Sequence, residues 1–232
     1  MYPGHWAQIT PDKPAVVMAG TDDIVTYAEL DQRSIRLARL WHDSGLRPGD
    51  GVALFMENHP RFLEVVWGAM RSGLRITPVN RYLTAPEAAY IVNDCDARAI
   101  VTSTAMAAVA AELADQIPGC KLRLSVDGLV DGYASYEDAL VGVPADPLDD
   151  EPLGQLMLYS SGTTGRPKGA VLTHRNLLFM SQCYYADIDR LDERDTHLCA
   201  APVSHGAGLY ALPFLLQGAH QIVLPVDRKS VV

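Results

Sequence analysis

The chain has 232 residues, 48% of them hydrophobic and 20% charged, which is enough for one substantial hydrophobic core. Its formal net charge of −9, with no basic run, argues against nucleic acid and anionic membrane surfaces as partners. The N-terminus lacks the basic and then apolar pattern of a signal peptide, so we expect a cytoplasmic protein. The four cysteines have no metal-like spacing and are expected to be reduced, buried thiols.

Helical and extended segments alternate from the N-terminus onward. Three capping patterns are predicted to begin helices: Thr26-x-x-Glu29, Thr84-x-x-Glu87 and Ser135-x-x-Asp138. Two further helices are predicted over residues 60–72 and 105–114, and strands over residues 52–55, 76–79, 98–102 and 122–126. This alternation predicts an α/β fold, with a doubly wound, mostly parallel sheet flanked by helices.

Two later segments bear on the organisation of the chain. Residues 144–152 are rich in Asp and Pro and are predicted to form a linker. The most apolar tract, residues 209–224, is interrupted by Pro213, Gln217 and His220, so no integral membrane segment is expected.

The most informative segment is residues 159–169, YSSGTTGRPKG, which lies between two short apolar runs. It gathers hydroxyls, glycines and a lysine: Ser160, Ser161, Gly162, Thr163, Thr164, Gly165, Lys168 and Gly169. Glycines let backbone N–H groups turn inward, hydroxyls donate to phosphoryl oxygens, and lysine supplies a compact positive charge. A plain Ser/Gly-rich hairpin turn is the alternative, but it does not account for this many phosphate-binding groups. The segment therefore predicts a polyphosphate-binding loop.

The loop differs from a Walker A motif, which needs Gly, four residues and then Gly-Lys-Ser/Thr. Pro167 stands where the second glycine would follow Gly162, and Lys168 precedes Gly169 rather than a hydroxyl. Residues 160–176, SSGTTGRPKGAVLTHRN, instead resemble the signature loop of the AMP-forming acyl-CoA synthetases. This adenylate-forming superfamily includes luciferases and nonribosomal peptide adenylation domains. Residues 46–58, 80–102 and 201–208 are similar to further segments of the family, in the family's order.

The resemblance implies a reaction in two steps. A carboxylic acid attacks the α-phosphate of ATP to give an acyl-adenylate and pyrophosphate, and the coenzyme A thiol then displaces AMP. The implied ATP-binding residues are Ser160, Ser161, Gly162, Thr163, Thr164, Gly165 and Lys168. Among them, Lys168 and Thr164 are implied to be catalytic, since they stabilise the departing pyrophosphate, and Ser160 is implied to be a ligand of Mg²⁺.

His205 and Gly206 are the implied acid-binding residues. They lie in residues 202–208, which resemble the family's Pro-x-x-His-x-x-Gly turn beside the acyl pocket. Amino-acid-activating relatives carry an aspartate in this region, whereas residues 202–209 contain no carboxylate. A buried substrate ammonium would lack a partner there, so we expect an uncharged tail. The chain looks most like fatty-acyl-CoA ligases, and an aryl-acid CoA ligase is the alternative.

The resembled family continues well beyond the His205 segment. Residues 1–226 are therefore expected to be a partial N-terminal AMP-binding domain, inactive alone, of a full-length acid–thiol ligase. Residues 227–232 can be encoded by GAT CGG AAG AGC GTC GTG, the start of a common sequencing adapter, and are expected to be translated adapter. A short, non-catalytic module that binds a nucleotide or an acyl group is the alternative. No pattern in the sequence sets an oligomeric state.

Overall fold

The computed structural model describes residues 3–160 and 166–225. The strands are β1 (Pro14–Met18), β2 (Ile24–Thr26), β3 (Gly51–Phe55), β4 (Arg75–Pro78), β5 (Ala97–Ser103), β6 (Leu122–Val126), β7 (Ala134–Ser135), β8 (Gln155–Ser160), β9 (Lys168–Thr173), β10 (Thr196–Cys199) and β11 (His220–Val223). The helices are α1 (Gly4–Ile9), α2 (Tyr27–Asp43), α3 (Arg61–Arg71), α4 (Ala85–Asp94), α5 (Ala107–Ala114), α6 (Tyr136–Leu140), α7 (His174–Asp187) and α8 (Gly206–Leu216).

The predicted capping patterns begin their helices. At α2, the Glu29 backbone N–H donates to the Thr26 hydroxyl, and the Thr26 N–H donates to the Glu29 carboxylate at 2.9 Å. The same reciprocal pair begins α4, where the Thr84 N–H donates to the Glu87 carboxylate at 2.9 Å. Ser135 caps α6 by accepting from a backbone N–H in the first turn. These helix starts confirm the expectation from sequence.

A seven-stranded sheet has the order β7-β6-β5-β3-β4-β8-β9. Its strands are parallel except for β9, which runs antiparallel to β8. Val52 and Leu54 of β3 pack into one hydrophobic cluster, and Ala53 and Phe55 pack into another. Successive side chains of a strand point to opposite faces, so each face of this sheet carries its own core. The doubly wound, mostly parallel sheet is thereby confirmed.

A second sheet of four strands has the order β10-β11-β1-β2 and was not predicted. β1 runs parallel to β11 and antiparallel to β2, and β10 runs parallel to β11. The Tyr27 hydroxyl at the start of α2 donates to the Ala219 carbonyl at 2.6 Å. This bond ties the start of α2 to the residue that immediately precedes β11 of the smaller sheet.

Residues 144–152 contain neither helix nor strand and lie along α2 and α3. Arg39 of α2 donates to the carbonyls of Asp146 and Pro147, the latter at 2.9 Å. Arg71 of α3 pairs with Glu151 at 3.1 Å. The predicted linker is thus held against the domain at both of its ends.

Two smaller expectations concern the membrane and the cysteines. None of the helices in the described ranges is long and apolar enough to cross a membrane. Cys95, Cys120 and Cys199 are buried free thiols, as expected, but Cys183 is only half-buried. The difference at Cys183 arises because it lies on α7, which contributes few buried side chains.

Candidate active site

The β8–β9 hairpin places the two ends of the predicted phosphate loop side by side. Ser160, the last residue of β8, stands opposite Lys168, the first residue of β9, in the antiparallel register. Both residues are exposed. The predicted ligands Ser161, Gly162, Thr163, Thr164 and Gly165 lie outside the described residues. The residues that the structure does describe thus bracket the loop between two paired strands, as its apolar flanks indicated.

Helix α4 holds both flanks of this loop. The Tyr159 hydroxyl donates to the Asp94 carboxylate at 2.6 Å, and the Tyr90 hydroxyl donates to the Pro167 carbonyl at 3.1 Å. The Arg166 guanidinium lies 5.9 Å from the centre of the Tyr90 ring. Burial, followed by the hydrogen bond to Asp94, raises the pKa of the Tyr159 hydroxyl above its ordinary value. Tyr159 therefore stays a neutral donor, and α4 fastens the hairpin just before and just after the loop.

The turn before α8 presents the predicted histidine. His205 is the N-cap residue of α8, and its Nδ1 lies 2.9 Å from the Ser204 hydroxyl. A Cβ at Gly208 would lie 2.1 Å from the Val203 carbonyl oxygen, so only glycine allows the helix to start this close to the turn. Ser204 is buried, unlike its neighbour His205, and can fix the orientation of the imidazole ring.

An open cavity of about 600 Å³ brings three predicted residues together. Ser160, His205 and Gly206 all line it, and so do Pro167 and Ser204. Lys168 adjoins this wall through its neighbour Pro167. The cavity thus joins the phosphate-loop hairpin to the start of α8, two segments that are 45 positions apart between Ser160 and His205.

A second, apolar pocket of about 40 Å³ adjoins the first. Its wall includes Phe62 and Trp67 of α3 and Leu212 of α8. Four residues border both spaces: Pro78, Leu158, Ser204 and His205. His205 therefore stands where the open cavity that Ser160 lines meets the smaller apolar pocket.

Sequence reasoning missed several residues of this site. Ser204 adjoins the motif histidine, but the family turn specifies only Pro202, His205 and Gly208. Pro78 and Leu158 end up at the junction because β4 and β8 are neighbours in the sheet. Because β4 and β8 come from distant parts of the chain, no local sequence pattern indicates that they are neighbours.

The site offers few ligands for a metal ion. Within residues 3–160 and 166–225, no group of three or more His, Cys, Asp or Glu side chains could hold one. The exposed Ser160 hydroxyl is a hard oxygen ligand of the type that Mg²⁺ accepts. One hydroxyl suits an ion that arrives with a nucleotide and keeps most of its other ligands from phosphate and water.

The chain is similar to known proteins along nearly its whole length. The family model described as AMP-binding enzyme matches residues 4–231. A feruloyl-CoA synthase from Amycolatopsis sp is 36% identical over 224 residues, covering 96% of this chain and 43% of that protein. The long-chain-fatty-acid–CoA ligase FadD13 of Mycobacterium tuberculosis is 30% identical over 226 residues, covering 94% of this chain and 43% of that protein.

A solved structure of a related domain is also similar to this chain. The inhibitor-bound N-terminal domain of FACL13 from Mycobacterium tuberculosis matches with a TM-score of 0.85 and 28% identity, over 96% of this chain and 56% of that one. The chain therefore spans less than half the length of the two curated relatives, 43% in each case.

Proposed function

Because the chain belongs to the AMP-binding enzyme family, we propose that its full-length form activates a carboxylic acid with ATP and transfers the acyl group to coenzyme A. The observation that carries this proposal is the position of His205, which borders both the cavity lined by Ser160 and the apolar pocket. A carboxylate beside His205 would have the phosphate loop on one side and an apolar space for its tail on the other.

The phosphate loop serves the first step. We assign the β- and γ-phosphates to the hydroxyls of Ser161, Thr163 and Thr164, helped by the N–H groups of Gly162 and Gly165. Lys168 stabilises the charge that develops on the departing pyrophosphate, because preorganised positive groups favour the transition state of phosphoryl and nucleotidyl transfer. Ser160 supplies one oxygen to Mg²⁺, which when bound neutralises part of the phosphate charge.

The substrate we propose is a fatty acid. The pocket behind His205 is lined by apolar side chains such as Leu209 and Leu212, and residues 202–209 carry no carboxylate to pair a substrate ammonium. An aryl acid is the second candidate. It is favoured by the aromatic rings of Phe62 and Trp67 in the pocket wall and by the similarity to a feruloyl-CoA synthase.

Acid-dependent exchange of labelled pyrophosphate into ATP tests the reaction. We expect the full-length enzyme to show exchange only when a carboxylic acid is present, with fatty acids giving higher kcat/KM than ferulic or benzoic acid. Amino acids serve as the matched negative panel. Equal exchange with amino acids and fatty acids would overturn the substrate assignment, and exchange with aryl acids alone would select the second candidate.

A further inference from the structure

Asn58 lies three residues after β3, and its side chain is buried, at 6% exposure. Its amide NH₂ donates to the Ala201 carbonyl at 3.1 Å and to the Leu224 carbonyl at 2.9 Å. Its Oδ1 accepts from the Val203 N–H at 2.8 Å. Both N–H donors and the acceptor are therefore used, and the partners fix which way the amide points, because a flip would set donor against donor.

These three bonds connect the two sheets of the molecule. Asn58 follows β3 of the seven-stranded sheet, whereas Ala201 and Val203 follow β10, and Leu224 follows β11, of the four-stranded sheet. The same seven-stranded sheet carries Ser160 at the end of β8. Asn58 thus fixes the position of the segment before α8 relative to the sheet that carries the phosphate loop.

Both backbone polar groups of Val203 have close neighbours. Its N–H is bound by Asn58, and its carbonyl oxygen stands against Gly208, where a Cβ would approach to 2.1 Å. His205 lies between these two contacts, with its N–H donating to the Pro202 carbonyl at 3.1 Å. The backbone that presents the imidazole therefore has little freedom to shift unless the Asn58 bonds are lost.

We propose that Asn58 is a positioning residue that sets His205 relative to Ser160, and so sets where the substrate carboxylate meets ATP. This role rests on the proposed function, but the bonds that underlie it can be tested separately. Truncating the amide removes one donor from each of the Ala201 and Leu224 carbonyls and leaves the buried Val203 N–H without its side-chain acceptor. Losing the acceptor of a buried N–H costs more than losing an exposed hydrogen bond.

Amide hydrogen exchange in the 232-residue chain tests the structural part. We expect Asn58→Ala to speed exchange of the Val203 amide by about tenfold or more. Thr102→Val is the matched control, because the buried Thr102 hydroxyl donates to the Phe55 carbonyl at 2.8 Å, a bond between β5 and β3 within the seven-stranded sheet. Exchange at Val203 that responds equally to both substitutions would overturn the proposal.

Steady-state kinetics of the full-length enzyme test the functional part. We expect Asn58→Ala to raise KM for the carboxylic acid about tenfold while KM for ATP changes less than about twofold, since the three bonds that are lost all go to residues 201, 203 and 224. Asn58→Asp, which retains side-chain size and the acceptor but loses both donated bonds, should act in the same direction and serves if the alanine variant does not fold.

The two readouts separate this proposal from the proposed function. A lower melting temperature with both KM values unchanged, as expected for Thr102→Val, would reduce Asn58 to a structural residue and overturn the positioning role. If the wild-type enzyme showed no acid-dependent exchange of pyrophosphate into ATP, the proposed function would be overturned instead. The rate of hydrogen exchange at the Val203 amide would then still decide whether Asn58 holds the turn.

Discussion

Lys168 begins β9 opposite Ser160, so it stands where the phosphate loop rejoins the sheet. We expect Lys168→Ala in the full-length enzyme to slow adenylate formation by about 10²–10³, because one positive charge is removed from the departing pyrophosphate. Single-turnover measurement of acyl-adenylate with a preferred acid checks this expectation, since it isolates the step in which pyrophosphate leaves.

Lys121→Ala is the matched control for the lysine. Lys121 is also exposed, and it immediately precedes β6. Its substitution by alanine removes one positive charge, as Lys168→Ala does. We expect it to leave the rate of adenylate formation unchanged. If Lys168→Ala behaved in the same way, Lys168 would be an ordinary solvated lysine.

Short sequence patterns predicted the helices whose first turns are set by residues close together in the chain. The Thr-x-x-Glu patterns marked α2 and α4 because both bonds of a capping box lie within four residues. Helix α7 was missed although Thr173 caps it, because the residue that closes its box is Asn176 instead of Glu or Gln. The physical device is the same, and only its usual residue differs.

The small sheet and the site junction could not be predicted in this way. β1 pairs with β11 from the other end of the chain, and neither strand carries a signal that names its partner. The family resemblance singled out His205 and the loop, but not the buried Asn58 between the sheets. Its importance comes from three backbone groups that become neighbours only in the folded molecule.

The contact between α4 and the β8–β9 hairpin can be tested by amide hydrogen exchange. We expect the double variant Tyr90→Phe, Asp94→Asn to speed amide exchange in β9, because the bonds to Pro167 and from Tyr159 are lost or weakened. The lost bond and the weakened bond together contribute about 1.4 kcal/mol, so an increase of about tenfold is expected. Exchange measured by mass spectrometry on peptides covering β9 and β6 provides the comparison.

Strand β6 is the internal reference. It lies near the opposite edge of the seven-stranded sheet from β9, and its amides should exchange at the same rate in the wild type and in the double variant. Tyr82→Phe, at an exposed tyrosine shortly before α4, is the matched substitution and should leave β9 unchanged. Faster exchange in both strands would indicate general destabilisation and contradict a specific hold on the hairpin.

The molecule as a whole exposes large apolar side chains on β9, α7, β10 and α8. These residues are Val171, Leu178, Phe179, Leu198 and Tyr210. We expect the 232-residue chain to self-associate at micromolar concentration, because exposed apolar surface and an open edge strand favour association. We also expect no acyl-CoA production from it, since Ser160, Lys168 and His205 are exposed and solvent screens their charge contacts.

Size-exclusion chromatography with light scattering, followed by an acyl-CoA assay with ATP, Mg²⁺ and fatty acids, checks both expectations. Phe179→Ser should lower the associated fraction, whereas Leu129→Ser, at an equally exposed residue between β6 and β7, should not. Sustained turnover by a monomeric chain would contradict the expectation that this segment alone is inactive.

The parallel pairing of β1 with β11 also sets an order of assembly. All strands of the seven-stranded sheet lie between residues 51 and 173, so that sheet can form while the ribosome is still adding later residues. β1, made near the start of synthesis, meets its parallel neighbour only once residues 220–223 have emerged. Closing so long a loop is entropically costly and slow. The earliest strand of the chain must therefore stay without its parallel neighbour until residues 220–223 have been made, although the seven-stranded sheet can form before then.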